Sequence, residues 1–158
     1  MIYYIYEIEG GNKKMNFVII KMAMVLMTTL SSLYAPTTLY NPVDQTLVGT
    51  TIDQSIVGDP QAIIDNLTAV PEGTKVLDYY IVNDIGFLNL SHEFTDTKID
   101  GAENTMMTVY SIVGTFCSAK EVNHLLIMVE GEMQPILFDG LKADRLFNGV
   151  DIFGRDLK

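Results

Sequence analysis

The chain of 158 residues is 48% apolar and 19% charged, which makes it long and apolar enough to bury one hydrophobic core without disulfides or bound metal. This composition excludes a disordered chain and a multi-span membrane protein, and it predicts one domain over residues 1–158. The formal net charge of −10, with no cluster of Lys or Arg, argues against a nucleic-acid partner because the chain would repel phosphate groups.

The first 34 residues support two interpretations, of which the first is a folded hairpin and helix. The β-branched and aromatic stretch Ile2–Glu9 is typical of a strand, and the glycines and asparagine after it are typical of a tight turn. Asn16–Ile20 then predicts a second strand. The residues Met22–Leu33 tolerate a helix, which Pro36 would end.

The second interpretation is a leader or anchor that begins at Met15. Lys13 and Lys14 precede an apolar run, and small residues follow that run, as in a secretory signal. However, Lys21 interrupts the run, and its uninterrupted part is too short to span a bilayer as a helix. We therefore prefer the hairpin and helix for residues 1–34.

Residues 35–60 are rich in Thr, Pro, Gly and Asp, and no helix or strand can be placed in them. A loop of this length inside a small domain is typical of a functional excursion, or else it contains short elements. At its end, Asp59 and Pro60 suit the cap and first turn of a helix, which we expect to continue to about Asn66.

A hairpin is predicted from residue 74 to residue 90. The turn Val70–Gly73 contains a proline that presets its backbone angle and a glycine that allows positive φ. The β-rich stretch Thr74–Val82 follows this turn. Asn83 and Asp84 then lead through a second tight turn into the strand Ile85–Leu90.

One amphipathic helix is predicted over Glu103–Cys117. Its apolar residues recur at the spacing of one helix face, which should pack across a sheet. They are Met106, Val109, Tyr110, Val113, Phe116 and Cys117. The opposite stripe is small and uncharged, and we expect it to face water or another protein. The candidate partner-binding residues on this stripe are Thr108, Ser111 and Thr115.

Two further strands are predicted after this helix. The unbroken apolar run Leu125–Val129 indicates a strand that is buried on both faces. The segment Met133–Phe138 indicates an edge strand, because Pro135 has no N–H to donate to a ladder. Since an open edge can pair with another chain, Ile136 and Phe138 are further candidate partner-binding residues.

These elements predict an α+β fold, in which a small mixed or antiparallel sheet carries one long amphipathic helix and one or two shorter helices. Four motifs occur in order: Val70-Pro-Glu-Gly-Thr-Lys-Val-Leu77, Ile85-Gly-Phe-Leu-Asn-Leu-Ser-His-Glu-Phe94, Thr108-Val-Tyr-Ser-Ile-Val113 and Met128-Val-Glu-Gly131. In order and spacing they resemble the GerMN domain of sporulation and spore germination proteins. The resemblance extends over residues 67–138, and Asn89 stands where the family has aspartate.

The resemblance implies a small α+β domain of the ring-building type with a non-enzymatic role in sporulation or spore germination. It also implies a place outside the cytoplasm, in the cell envelope or associated with the membrane, where the partners would be envelope or membrane proteins of a sporulating cell. A homo-oligomer through a sheet edge or a helix face is a further expectation. Family members often carry a signal with a lipid-bearing cysteine, whereas this chain has no cysteine before Cys117.

The sequence shows no convergent catalytic, cofactor-binding or metal-binding set. His92 lies between Ser91 and Glu93, but neighbours at a strand end cannot converge as a triad must, so we expect a solvated histidine. His124 has no His or Cys at ligand spacing, and the apolar neighbours of Cys117 predict a buried, inert thiol. We therefore expect no cofactor and no enzymatic activity.

Two functional classes remain. The first is an interaction module of the cell envelope, for which an open sheet edge is expected. The second is a small ligand-binding protein or hydrolase with its site in residues 35–60, for which acids with perturbed pKa in a cleft are expected.

Overall fold

The structure is a computed structural model that describes residues 33–138 and 140–149. The predicted hairpin of residues 2–20, the predicted helix up to residue 32 and the alternative leader lie outside the described residues, as do residues 139 and 150–158 of the tail. The described residues belong to one compact unit that begins at Leu33. Within them, no helix has the length and hydropathy of a membrane span.

The described residues form the predicted α+β fold. The strands are β1 Thr38–Val43, β2 Thr46–Thr51, β3 Val76–Val82, β4 Ile85–Leu90, β5 His124–Val129, β6 Glu132–Met133, β7 Ile136–Leu137, β8 Leu141–Lys142 and β9 Phe147–Asn148. The helices are α1 Pro60–Asp65, α2 Glu93–Asp96 and α3 Ala102–Phe116. They confirm one long helix with shorter ones beside it.

The main sheet is mixed and has the order β3-β4-β5, with the short strands β6 and β9 on the far side of β5. β3 and β4 are antiparallel, and β4 and β5 are parallel because α2 and α3 cross over between them. Two small hairpins, β1–β2 and β7–β8, stand apart from this sheet.

The core lies between one face of the sheet and α3. Leu88 of β4 and Ile127 of β5 are adjacent in register and almost fully buried. From α3, Val113 and Phe116 have no exposed surface, and the Phe116 ring lies 4.9 Å from the ring of Tyr79 between centroids. The apolar face predicted for the helix is therefore confirmed at these positions. Met106, in the second turn, is instead 39% exposed.

Several local predictions are confirmed in detail. Asp59 caps α1, since its Oδ1 accepts a hydrogen bond from Ala62 N at 3.1 Å. Gly73 has φ of 86°, as the turn before β3 requires. Asn83, at the tight turn between β3 and β4, has φ of 57°, which asparagine tolerates better than most residues.

The expectation that the polar stripe of the long helix is exposed is wrong. Thr108, Ser111 and Thr115 are only 2%, 0% and 0% exposed. Thr108 Oγ1 donates to the carbonyl oxygen of Ala69 at 3.1 Å. Thr115 Oγ1 accepts from Tyr40 N of β1 at 2.9 Å. Hydroxyl groups can satisfy buried backbone groups, so the polarity of this stripe serves contacts inside the protein.

Residues 35–60 are not a structureless loop, because they contain the β1–β2 hairpin. Its connection is the pair Asp44 and Gln45, with φ of 47° and 64°, which is the positive-φ geometry of a two-residue hairpin turn. Neither asparagine nor glycine marks this turn, and Pro42 inside β1 argues against a strand. The hairpin could therefore not be predicted from the usual turn and strand residues.

Two strand predictions need correction. The β5 strand alternates buried and half-buried residues, so it is buried on one face and not on both. The segment Met133–Phe138 is not one edge strand, because it is divided at Pro135. Its first part pairs with β5, and its second part, Ile136–Leu137, pairs with β8. Between the two, the Pro135 carbonyl accepts from Ala143 N at 3.2 Å.

Candidate interaction surface

The outer edge of β3 is hydrogen-bonded to α1 at the start of the strand, whereas further along it pairs with no strand of the described residues. Gln61 Oε1 of α1 accepts a hydrogen bond from Val76 N at the start of the strand. Gln61 Nε2 also donates to the carbonyl oxygen of Thr74 at 3.1 Å, two residues earlier. Further along, from Asp78 to Val82, no strand of the described part of the chain pairs with the outer side of β3. This part of the edge carries backbone groups that another strand could pair with.

Exposed apolar side chains lie along this edge. Leu77, Tyr80 and Val82 are 47%, 44% and 49% exposed. A register shift between Val76 and Asp78 indicates a bulge at Leu77, the kind of irregularity that limits unwanted pairing. Asp78 adds a charge to the same strand.

An apolar row continues from this edge across the face of the sheet that points away from the core. Tyr80 is opposite Phe87, and Phe87 is opposite Leu126 in the next strand. The rings of Tyr80 and Phe87 are stacked, with centroids 4.9 Å apart and planes 6° apart. Phe87 and Leu126 are only partly buried. The edge and this row together form what we call the β3 surface: Leu77, Tyr80, Val82, Phe87 and Leu126.

The sequence-predicted site residues are not brought together. Thr108, Ser111 and Thr115 are buried under the β1 strand and the α1–β3 connection. Ile136 is 58% exposed, as a binding residue requires. Phe138 is only partly buried, but its ring packs edge-on against the buried Phe94 at 5.1 Å between centroids, so it contributes to the core.

The β3 surface was missed because alternation within Thr74–Val82 does not say which neighbour a strand has. A strand of seven residues with apolar side chains on both faces looks the same in sequence at an edge as in the middle of a sheet. The available signal was Asp78, since a charge in an apolar strand is typical of an edge.

His92 lies among three carboxylates. Its Nδ1 is 3.5 Å from Glu93 Oε2 and 3.5 Å from Glu130 Oε1, and its Nε2 is 3.6 Å from Asp96 Oδ2. Its side chain is 61% exposed, as expected for a solvated histidine. Hydrogen bonding, first from Ser91, lowers the pKa of Glu93. The group can position the β5–β6 turn near α2, since Glu130 Oε1 also accepts from His92 N at 2.9 Å.

His124 pairs with the turn between β3 and β4. Its Nδ1 is 3.3 Å from Asp84 Oδ2, and Asn123 Nδ2 donates to the same oxygen at 3.2 Å. The hydrogen bond from Asn123 is the main cause of a lowered pKa at Asp84, and backbone hydrogen bonding at Asp84 and the nearby His124 lower it further. The Asp84 carbonyl also accepts from His124 N at 3.1 Å. This arrangement fastens the turn to the beginning of β5.

The thiol of Cys117 is unsuited to nucleophilic chemistry. Burial raises its pKa to about 12, so it is protonated at neutral pH. A Cβ atom on Gly149 would stand 2.6 Å from the Cβ of Cys117, which shows how closely the two chain segments approach. Among the described residues, no group of three His, Cys, Asp or Glu side chains is arranged to hold a metal ion.

Two cavities are lined by described residues, and neither includes residues 35–60. One, of about 260 Å³, lies between the end of α1 and the turn before β3, with Asp65, Leu67, Glu72 and Thr74 in its wall. The other, of about 230 Å³, lies between Phe138 and the loop Thr95–Ile99. In residues 35–60, hydrogen bonding from Ser55 lowers the pKa of Asp53, an exposed acid of a turn.

A family model described as sporulation and spore germination matches residues 25–135 of the chain. No curated protein sequence matches this chain significantly. The matched segment includes every helix and every main-sheet strand from β3 to β6 that the structure describes.

Two solved structures are similar in fold. A Clostridium perfringens protein assigned as a lipoprotein is 22% identical, with a TM-score of 0.51 over 72% of this chain and 87% of that one. The tandem GerMN domains of the sporulation protein GerM from Bacillus subtilis are 20% identical, with a TM-score of 0.53 over 72% of this chain and 45% of that one. At these identities the similarity shows a shared fold alone.

Proposed function

The chain belongs to the sporulation and spore germination family, and we propose that it serves that process as a protein-interaction module and not as an enzyme. It acts outside the cytoplasm, in the cell envelope or associated with the membrane. Its partners there are envelope or membrane proteins of the sporulating cell.

The observation that carries this proposal is the β3 surface. Its apolar row ends at a strand edge that no described strand covers, so a partner strand added to β3 would gain backbone hydrogen bonds and would place its own side chains beside Tyr80 and Val82. Burying apolar surface that the free protein exposes to water favours association. The row Tyr80–Phe87–Leu126 extends the contact beyond the edge strand itself.

The charge around the β3 surface indicates the chemistry of the partner. Asp78 lies within the edge strand, Asp84 at its end and Glu72 shortly before it, while Lys75 is the one basic residue from Glu72 to Asp84. The whole chain carries a net charge of −10. An extended segment with apolar residues at alternate positions and Lys or Arg between them would therefore fit this edge best.

The proposal of a non-enzymatic role is supported by the places of the two histidines. His92 is surrounded by carboxylates, and its neighbour Ser91 has its Oγ engaged by Lys75 N. His124 pairs with Asp84, and the one thiol of the chain, Cys117, has a pKa of about 12 because it is buried. Among the described residues, neither histidine has an activated nucleophile beside it, as acyl transfer would require.

The test is complementation of a deletion of the gene in its own host. We expect the deletion to lower the yield of heat-resistant spores or the rate of germination. Tyr80→Lys, alone or with Leu77→Lys, should fail to restore the phenotype while the protein stays folded and at normal abundance, because both residues are exposed. Met106→Lys, an equally exposed apolar residue on α3, is the matched control and should restore it.

Ile136→Lys distinguishes the β3 surface from the site predicted at residues 136 and 138. If Ile136→Lys fails to complement and Tyr80→Lys succeeds, the contact is at the β7–β8 hairpin and the β3 surface is wrong. Normal sporulation and germination in the deletion strain would contradict the proposed role itself. Hydrolysis of ester, peptide or glycan substrates that is lost in His92→Ala would contradict the non-enzymatic role.

A further inference from the structure

The two edges of the β1–β2 hairpin differ in how their backbone groups are satisfied. At the β1 edge, the α3 side of the hairpin, Ser118 Oγ accepts from Thr38 N at 3.0 Å and Thr115 Oγ1 accepts from Tyr40 N at 2.9 Å. On the same strand, Asn41 Oδ1 accepts from Thr68 N at 2.7 Å. In the described part of the chain, β2 pairs with β1 alone. The β2 edge therefore faces outward.

The register shows which groups of β2 are directed outward. The two-residue turn makes Val43 and Thr46 a hydrogen-bonded pair, so the pairs Asn41–Val48 and Leu39–Thr50 are hydrogen-bonded as well. The alternate residues of β2 direct their N–H and C=O groups away from β1. They are Leu47, Gly49 and Thr51.

This edge lacks the features that usually prevent pairing. Thr46–Thr51 has no charged residue, no proline and no register shift, and five of its six residues are exposed. The β3 edge, in contrast, has both a charge and a bulge. In a chain of net charge −10, the β2 edge is a place where two copies could meet without opposing carboxylates inside the paired segment.

The side chains of β2 suit a symmetric pairing. Gly49 lies opposite Tyr40 in the hairpin, and an added Cβ at Gly49 would stand 2.8 Å from Tyr40 Cε1, so the tyrosine ring already occupies the space beside the glycine. In an antiparallel arrangement centred on Gly49, Gly49 pairs with Gly49 of the second copy, and Leu47 pairs with its Thr51. The outward N–H and C=O groups of all three residues are then hydrogen-bonded between the copies. The two glycines face each other without side chains, and a tyrosine lies on either side.

We propose that two copies of this chain associate by antiparallel pairing of their β2 strands, centred on Gly49, to form a continuous sheet of two hairpins. Val48 of each copy then lies opposite Thr50 of the other in a non-hydrogen-bonded pair, where side chains approach most closely. Strand pairing alone buries little surface, so the dimer is transient. It forms more readily at high salt, which screens the repulsion between two chains of net charge −10.

This pairing is tested by measuring the molecular mass of the full chain in solution by sedimentation equilibrium. The wild type is compared with two variants that carry opposite charges at residues 48 and 50. Val48→Glu with Thr50→Glu places two pairs of carboxylates against each other across the interface, and Val48→Lys with Thr50→Lys does the same with ammonium groups. Val48 is 44% exposed and Thr50 is also exposed, so both variants should fold, which circular dichroism will check. The wild type should dimerise as its concentration rises to about 0.5 mM, a range suited to transient contacts.

Each variant alone should remain monomeric at that concentration, and an equimolar mixture of the two should dimerise again. A wild-type chain that stays monomeric up to about 1 mM overturns the proposal, because even a weak contact should then be populated. The proposal is also overturned if either charged variant dimerises like the wild type, or if the mixture of the two variants stays monomeric. In both cases Val48 and Thr50 would not be the residues that pair across the interface.

Discussion

The hairpins β1–β2 and β3–β4 both join two antiparallel strands by a two-residue turn, but they are attached to the protein by different forces. The β3–β4 hairpin is attached through apolar packing, in which Leu88 and Leu90 are fully buried against α3 and its neighbours. The β1–β2 hairpin packs Leu39 against the same core, and it is also attached through hydroxyl and amide groups, such as those of Thr115, Ser118 and Asn41. The apolar packing of β3–β4 stabilises the core of the domain, whereas the polar contacts of β1–β2 hold that hairpin in position beside α3.

The difference can be tested first at the centre of the main sheet. Leu88→Ala removes a side chain with no exposed surface, and we expect a loss of about 2–5 kcal/mol in the free energy of unfolding because a cavity remains. Urea denaturation measures it. Val82→Ala, at a 49% exposed position of the same hairpin, should cost far less. Similar losses at both positions would mean that the face of the sheet is assigned wrongly.

The polar attachment is tested by Thr115→Val, which keeps the shape of the side chain and removes its hydroxyl. The N–H of Tyr40 then loses this acceptor, at an expected cost of about 1–3 kcal/mol. Hydrogen exchange should accelerate at β1 amides and change little at Leu88. Thr115→Ser keeps the oxygen and is the control. Equal acceleration in both hairpins would show that they are not stabilised independently.

The same contrast explains how much of the structure the sequence predicts. Alternation and turn residues locate β3 and β4, and the periodicity of α3 identifies its buried apolar face, because these signals are local. The hairpin β1–β2 depends on α3 residues about 75 positions away, such as Thr115 for Tyr40. Small polar residues on a helix look alike whether they contact water or a strand edge, so the sequence alone predicts a stripe that faces water or another protein.

The candidate site is less predictable still. The exposure of Ile136 can be predicted from the nearby proline, which is tolerated only at a sheet edge. The β3 surface can be predicted only if the order of the strands in the sheet is known. That order depends on a parallel pairing of β4 with β5 across the whole length of α2 and α3. No local pattern specifies such a pairing.

The turns of the two hairpins differ in how well their residues suit a positive φ. Gln45 has φ of 64° without the short polar side chain that favours this conformation. Gln45→Gly should therefore stabilise the hairpin by about 0.5–1 kcal/mol, the difference between relieved strain and the greater freedom of unfolded glycine. Urea denaturation with hydrogen exchange at β2 amides measures the gain. Asn83→Gly, at the corresponding turn of β3–β4, should change stability less, since asparagine already tolerates its φ of 57°.

The smallest effect is expected from acid at the second turn. The pKa of Asp84 is lowered, first by the hydrogen bond from Asn123 and then by backbone hydrogen bonding at Asp84 itself and by His124, so its ionised form is favoured in the folded protein. A carboxyl group with a lowered pKa stabilises the fold above its unfolded pKa, near 3.8, and this stabilisation is lost as the pH falls through the lower folded value.

Asp84→Asn should accordingly melt below the wild type at pH 6, and the gap between the two melting temperatures should narrow as the pH is lowered past 3.8. Since Asp84 is near the surface, the shift should be small and should shrink further in salt. A gap for Asp84→Asn that stays constant from pH 6 to strong acid would mean that the hydrogen-bonding capacity of the side chain, and not its charge, fastens this turn to β5.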